Sequence, residues 1–271
     1  MRLSLRPLTF AILLAGTAGS AGAADLIDAY EMARQSDPVL SAAESQRQAT
    51  GENVVQARAS LLPQLSGTAS LTDTRIRGVD AYGRDRSYGL SLGQSLYDHG
   101  NYTRLNASKL RREQADAEYR ATAEILVIRV ADAYFGVLTA IETLASSRAE
   151  ERSVKRQLDQ AEKRLEVGLA PITDVHEARA RYDTARANAI AAAIALDDSR
   201  EALAEITGQP LENLRGLAPD FKPVNDDPRT AEEWVTIATE SNATLQAREL
   251  ALAAAERDIS TARSGHLPTL A

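Results

Sequence analysis

Cysteine is absent from the 271 residues. That excludes disulfides and thiolate metal sites, so stability must come from packing, association or both. Aromatic residues make up only 4% of the chain, thin material for a thick globular core,. The histidines His99, His176 and His266 are far apart and lack the i, i+4 pairing that a helical metal site uses,. A Gly-rich phosphate loop and a seryl nucleophile motif are also missing, and the acidic residues are scattered at spacings that suit surface ion pairs. These absences point away from catalysis, from a cofactor and from a bound metal.

Charge adds a further exclusion. If Arg2 and Arg6 are removed with a leader, 29 basic residues face 38 acidic ones, a balance of −9 that argues against nucleic acid as a partner,. The leader is expected because Arg2 and Arg6 precede the apolar run Leu8 to Ala15, and Ala21-Gly22-Ala23 forms a small-residue cleavage site,. The run breaks at Gly16, Thr17, Gly19 and Ser20, short of the roughly 20 apolar residues that a spanning helix needs,. Residues 1–23 therefore read as a signal peptide, and the mature chain as exported.

What the chain does contain is alanine, arranged for closely approaching helices, and a repeat. Residues 25–65 align without a gap on 230–270 at a constant offset of 205, with eleven identities. Among them are Ala33/Ala238, Ser36/Ser241, Leu40/Leu245, Ala57-Arg58/Ala262-Arg263 and Leu62-Pro63/Leu267-Pro268. A Leu-Pro that ends a helix in both copies marks a duplicated structural unit. The first repeat is expected over 24–228 and a second to open at 229 and run to 271. Because the second copy stops where the first enters its strand, the chain is expected to be the N-terminal part of a longer, duplicated protein.

Within the first repeat, a short helix over 26–35 breaks at Asp37-Pro38, and a second helix over 39–61 stops before Pro63,. From Leu65 the period changes to two: Leu65, Gly67, Ala69 and Leu71 share one face, Ser66, Thr68, Ser70 and Thr72 the other,. Tyr88, Leu90, Leu92, Gln94 and Leu96 alternate with Gly89, Ser91, Gly93 and Ser95 in the same way. The spacing predicts a β-hairpin over 65–97, apolar on one face, with the charged segment Arg75 to Arg86 as its loop. By itself this pattern fits a membrane barrel strand pair and a hairpin lying on a soluble bundle about equally.

No proline interrupts residues 102–167, which predicts one helix about 100 Å long at 1.5 Å per residue,. Gly168 and Pro171 reverse the chain, and a return helix over 172–207 ends at Gly208 and Pro210,. Its seam, Val175, Ala178, Tyr182, Ala185, Ala189, Ala192 and Leu196, has heptad spacing and is answered by Val154, Leu158, Ala161 and Leu165, as in an antiparallel coiled coil,. The helices over 39–61 and 172–207 total 59 residues against 66 in the long helix, so stacked end to end they could flank it. The proline-bearing segment 208–228 is a linker. Asp197-Asp198 reads as a solvated helix face or a weak cation contact,.

Four segments carry a family resemblance: Gln94-Ser95-Leu96-Tyr97-Asp98-His99-Gly100, Val130-Ala131-Asp132-Ala133-Tyr134-Phe135, the turn region from Arg164 to Val175, and Gly265-His266-Leu267-Pro268-Thr269-Leu270. With the duplication and the leader, they resemble the TolC family of outer-membrane efflux and type I secretion proteins. The resemblance implies a mainly α fold of long antiparallel coiled-coil helices whose hairpins form a trimeric outer-membrane β-barrel. It further implies a homotrimer in outer-membrane lipid with a large periplasmic part, a passive exit duct working with a periplasmic adaptor and an inner-membrane ABC, RND or MFS transporter.

Under that resemblance, Val167, Gly168 and Leu169 form the adaptor-docking tip. Turn geometry alone explains Gly168 and Pro171, but it does not call for apolar neighbours at the exposed end of so long a coiled coil. Thr173 and Asp174 are similar to positions that hold the periplasmic gate closed, although residues of these types are also ordinary in a first helical turn. The alternative is a periplasmic coiled-coil adaptor or scaffold without a barrel. Such proteins follow their helical hairpin with strand-rich modules, whereas this chain returns to helices.

Overall fold

In a computed structural model, residues 23–75, 82–218, 220–222 and 229–270 are described. The expected signal peptide, the middle of the expected hairpin loop and much of the proline-bearing linker lie outside them.

The element order is α1 (Leu26–Ser36), α2 (Pro38–Ala59), β1 (Gln64–Arg75), β2 (Tyr82–Gly93), α3 (His99–Glu166), α4 (Ile172–Thr207), α5 (Ala231–Ser241) and α6 (Ala243–Arg263). Asp25 opens α1 through a capping box with Asp28, and Asp37 caps α2 with Pro38 at its first position,. Asp98 caps α3, accepting from the amides of Gly100 and Asn101. That cap starts α3 three residues ahead of the expected Tyr102, because a carboxylate that satisfies two free amides tolerates Gly100 in the first turn.

With 68 residues, α3 is about 100 Å long and is the spine of the molecule,. α4 packs along its C-terminal half, while α2 and α6 pack along its N-terminal half. All seven residues of the expected α4 seam are at least half-buried, and Val175, Ala185, Ala189, Ala192 and Leu196 are fully so. Small side chains also line the contact with α6, where Ala107 and Ala115 of α3 are buried together with Ala243, Ala247 and Ala254. Across this seam the Thr261 hydroxyl donates to Thr103 Oγ1 at 2.7 Å, and Arg111 pairs with Asp258.

The core sits at mid-height, where α1 fits against α3 and the end of α4. Ala29, Ala33, Leu40, Leu126, Val130, Tyr134 and Ile206 form one buried cluster, continued by Val137, Leu144, Ala192, Leu196 and Leu203. Here α4 ends on Gly208 at φ 73° and abuts Ser36, the last residue of α1, two residues ahead of the start of α2. The linker begins as packed structure. Leu211 and Leu214 close over the core, the amide of Ala24 donates to Asn213 at 2.9 Å, and that of Arg215 donates to Ala24 at 2.9 Å. Two partly buried leucines and a paired backbone thus hold its first residues,.

α5 and α6 begin at the offset of 205 from α1 and α2, and α5 ends at that offset as well. Both pairs share their N-cap logic, Asp25/Thr230 with capping boxes and Asp37/Asn242 with single caps. Their surroundings differ, since α1 buries Ala29 and Ala33 whereas α5 buries nothing and leaves Trp234 and Val235 exposed.

β1 and β2 pair antiparallel from Gln64↔Gly93 to Arg75↔Tyr82. The register joins Leu65 to Leu92, Gly67 to Leu90 and Ala69 to Tyr88 on one face, and Ser66 to Ser91 and Ser70 to Ser87 on the other, with both hydroxyl pairs at 2.7 Å. Two expectations are corrected. β2 ends at Gly93, leaving Gln94 and Leu96 outside it, and the supposed loop Arg75 to Arg86 contributes Arg75 to β1 and Tyr82 to Arg86 to β2. Pairing continued past the apolar residues because each step adds ladder hydrogen bonds, and a cross-strand ion pair, Asp73 with Arg84 at 2.9 Å, compensates the charges,.

Candidate functional site: the tip of the helical hairpin

The far end of α3 closes on a Schellman turn. The amide of Gly168 donates to Leu165 at 2.9 Å and that of Leu169 to Arg164 at 2.7 Å, which satisfies two carbonyls that the helix end leaves free,. Gly168 takes φ 74° with open space around it. Its glycine is therefore required by backbone conformation and not by crowding. Pro171 caps α4 with no side-chain hydrogen bond.

This geometry drives apolar side chains into solvent. Val167 is 66% and Leu169 78% exposed. Ile172, which the sequence reading did not single out, adds a third apolar surface at 58%. The available signal was an isoleucine at the first position of the return helix, directly after the turn. The tip is thus a small apolar knob, rimmed by Arg164 and Lys163 at the negative end of the α3 dipole,.

Thr173 and Asp174 lie in the first turn of α4, both exposed. Among the described residues neither side chain has a hydrogen-bond or ion-pair partner, so neither caps the helix. Asp174 occupies the first turn, where a carboxylate is favoured by the dipole,. The two residues present free polar groups on the flank next to the knob. Nearby, Arg179 of α4 donates to Glu162 of α3 at 2.7 Å and ties the two helices together behind the tip.

At the opposite end of the molecule lies a second exposed apolar surface. On the hairpin, Leu65, Leu71, Tyr88, Leu90 and Leu92 are all at least 60% exposed and share one face. Among the described residues no helix is long and apolar enough to cross a membrane. The two surfaces are separated by the length of α3.

Comparison with known proteins places this architecture. The family model described as outer membrane efflux protein matches residues 29–209. The chain is 36% identical over 266 residues to the outer membrane protein TolC of Vibrio cholerae, covering 98% of this chain and 61% of that protein. It is 31% identical over 280 residues to the proteases secretion protein PrtF of Dickeya chrysanthemi, covering 97% and 59%. The chain therefore spans about 60% of the length of these relatives. The Campylobacter jejuni CmeC outer membrane channel shares the fold with a TM-score of 0.73 at 20% identity, over 90% of this chain and 54% of that one. These matches, to outer-membrane and secretion proteins, do not favour the alternative of an adaptor or scaffold without a barrel. On the breadth of the family match, the chain belongs to the outer membrane efflux protein family, and its place is the bacterial outer membrane.

Proposed function

We propose that the protein is a passive exit duct for efflux or type I secretion, built as a homotrimer and docked through its helical tip to a periplasmic adaptor. The observation that carries this reading is the pair of exposed apolar surfaces at opposite ends of α3. One is a two-stranded face of the kind a closed barrel turns to lipid, and the other is a knob about 100 Å away,.

Physical reasoning supports each part. An isolated hairpin leaves unsatisfied edges in lipid, whereas strands shared among protomers close into a barrel without edges. Alanine-rich helices with seams on several sides need neighbours, which a ring of protomers supplies. Val167, Gly168 and Leu169 are the adaptor-docking residues, because a fixed turn presents two large apolar side chains without an ordering cost at binding. Thr173 and Asp174 form the periplasmic gate through contacts to a neighbouring coiled coil, consistent with their lack of side-chain partners among the described residues. The duct itself does no catalysis. Energy comes from an inner-membrane ABC, RND or MFS transporter, and substrate crosses a water-filled lumen.

The test uses the full-length protein carrying a photoreactive residue at the tip. Gly168→Trp and, separately, Leu169→Glu should each abolish crosslinking to a periplasmic adaptor while heat-resistant trimers persist. Crosslinking that survives both substitutions would remove the tip from the docking site.

A further inference from the structure

The hairpin face that turns to lipid does not stay apolar to its end. Along β2, alternate residues on that face run Leu92, Leu90, Tyr88, Arg86 and Arg84, paired with Leu65, Gly67, Ala69, Leu71 and Asp73 of β1. Arg84 is compensated across the strands by Asp73 at 2.9 Å. Arg86 is the first charge beyond the apolar band, and the residue opposite it is Leu71. No carboxylate on the described part of this face is left over to balance it. The only other described acid nearby in β2, Asp85, points to the serine-lined face by alternation,.

Position along the hairpin decides the side of the membrane. The open end at Gln64 and Gly93 leads directly to α2 and α3, so the end carrying Arg86 points away from the helical body. With the helices in the periplasm, Arg86 lies at the outer leaflet. An arginine facing lipid is strongly disfavoured at the bilayer midplane and nearly neutral at the interface, where its long stem lets the guanidinium reach the headgroups. Tyr88, 80% exposed and next below it on the same face, is the residue type that marks that interface in barrels,. A guanidinium with no carboxylate partner among the described residues, just above an aromatic belt, suits a phosphate, which it can hold through two parallel N–H donors.

We infer that Arg86 is an outer-leaflet lipid site that binds the phosphate of an anionic headgroup, with Tyr88, Leu90 and Leu71 against the acyl chains. This rests on the barrel reading above. Across a trimer the site would recur around the barrel, fixing its height in the membrane and forming a ring of bound anionic lipid.

The test is native mass spectrometry of full-length trimers extracted from vesicles of phosphatidylcholine containing lipid A. Wild-type trimers should retain lipid A, Arg86→Gln should retain on the order of tenfold less, and Arg86→Lys should recover part of it. Lipid A stripped of its phosphates should not be retained. Equal retention by wild type and Arg86→Gln, or by the dephosphorylated lipid, would overturn the site while leaving the duct intact. Displacement of lipid A by inorganic phosphate would reassign it to free phosphate and overturn the lipid assignment. Failure of the wild type to insert as trimers would instead sink the barrel reading, and the lipid site with it.

Discussion

Arg129 of α3 forks onto the carboxylate of Asp37: its Nη1 donates to Oδ2 at 3.2 Å, and its Nη2 lies 3.1 Å from Oδ1. The same carboxylate caps α2 by accepting the amide of Leu40 at 2.7 Å, and it is fully buried. One side chain thus joins the start of α2 to the middle of the spine, beside the point where α4 ends. Asp37→Ala removes both the cap and the ion pair and should cost about 2–4 kcal/mol. Asp37→Asn keeps the cap, as Asn242 does at the matching position of the second copy, and should lose less. Chemical denaturation of the two variants separates the contributions, and equal losses would show that capping has no share.

The two left-handed glycines should respond differently to the same substitution. At Gly168 an added methyl meets open space, so Gly168→Ala should cost only the conformational penalty, about 1 kcal/mol,. At Gly208 that methyl would stand 2.6 Å from Ser36 Cβ, and Gly208→Ala must also push α4 away from α1. A total of about 2–4 kcal/mol is expected. Thermal melts of the two variants should differ by several degrees, and identical melts would contradict the close contact of Gly208 with Ser36.

Tyr134 should make stability depend on alkaline pH. Burial pushes its phenol above the ordinary value of 10.0, and the hydroxyl donates to the Arg215 carbonyl at 2.6 Å, a bond that only the protonated phenol can make. The folded state therefore holds this proton longer than the unfolded chain. Its contribution is complete below pH 10.0 and is lost as pH rises through the folded value,. Tyr134→Phe should cost about 1 kcal/mol at neutral pH and flatten the alkaline limb of the stability curve. Urea titrations across that range check both, and an unchanged limb would show that other groups govern it.

The gate assignment predicts a change in conductance. Asp174→Ala should raise the single-channel conductance of full-length trimers in a planar bilayer, since a carboxylate without a partner among the described residues of its own protomer would lose its contact to the next. Unchanged conductance would take Asp174 out of the gate. Thr173→Val serves as the parallel case with a smaller expected rise.

At low pH a separate surface effect should be visible. The Glu44 carboxylate is held below its ordinary value chiefly by its hydrogen bond from Arg47 at 2.8 Å, helped by Gln48. A depressed value stabilises the fold above the unfolded pKa, and this is lost as pH falls through the folded one. Glu44→Gln should weaken the acid dependence of stability, and an identical acid limb would show the pairing to be screened by solvent.

Much of the architecture was legible because it is local. Proline and glycine placed the ends of α1 and α2 and the reversal at Gly168 within a few residues, heptad spacing identified the α4 seam, and period two identified both hairpin faces. Boundaries failed where a partner strand or a cap extended an element: β2 began at Tyr82 through pairing, and α3 began at His99 through Asp98. At the tip, the turn and its two apolar residues followed from the sequence, but the exposure of Ile172 did not, because a helix's direction relative to its neighbour sets which first-turn residue faces out.

By itself, the sequence determined the elements, the duplication and the faces, since these depend on periodicity, chain stiffness and backbone chemistry over a few residues. Only tertiary structure decided that Asp37 meets Arg129, that Tyr134 holds Ala24 against Arg215, and that Arg86 stands opposite Leu71 while Arg84 finds Asp73. Those pairings join residues distant in the chain or depend on strand register. They are fixed by where helices and strands come to rest against one another, which no local pattern encodes.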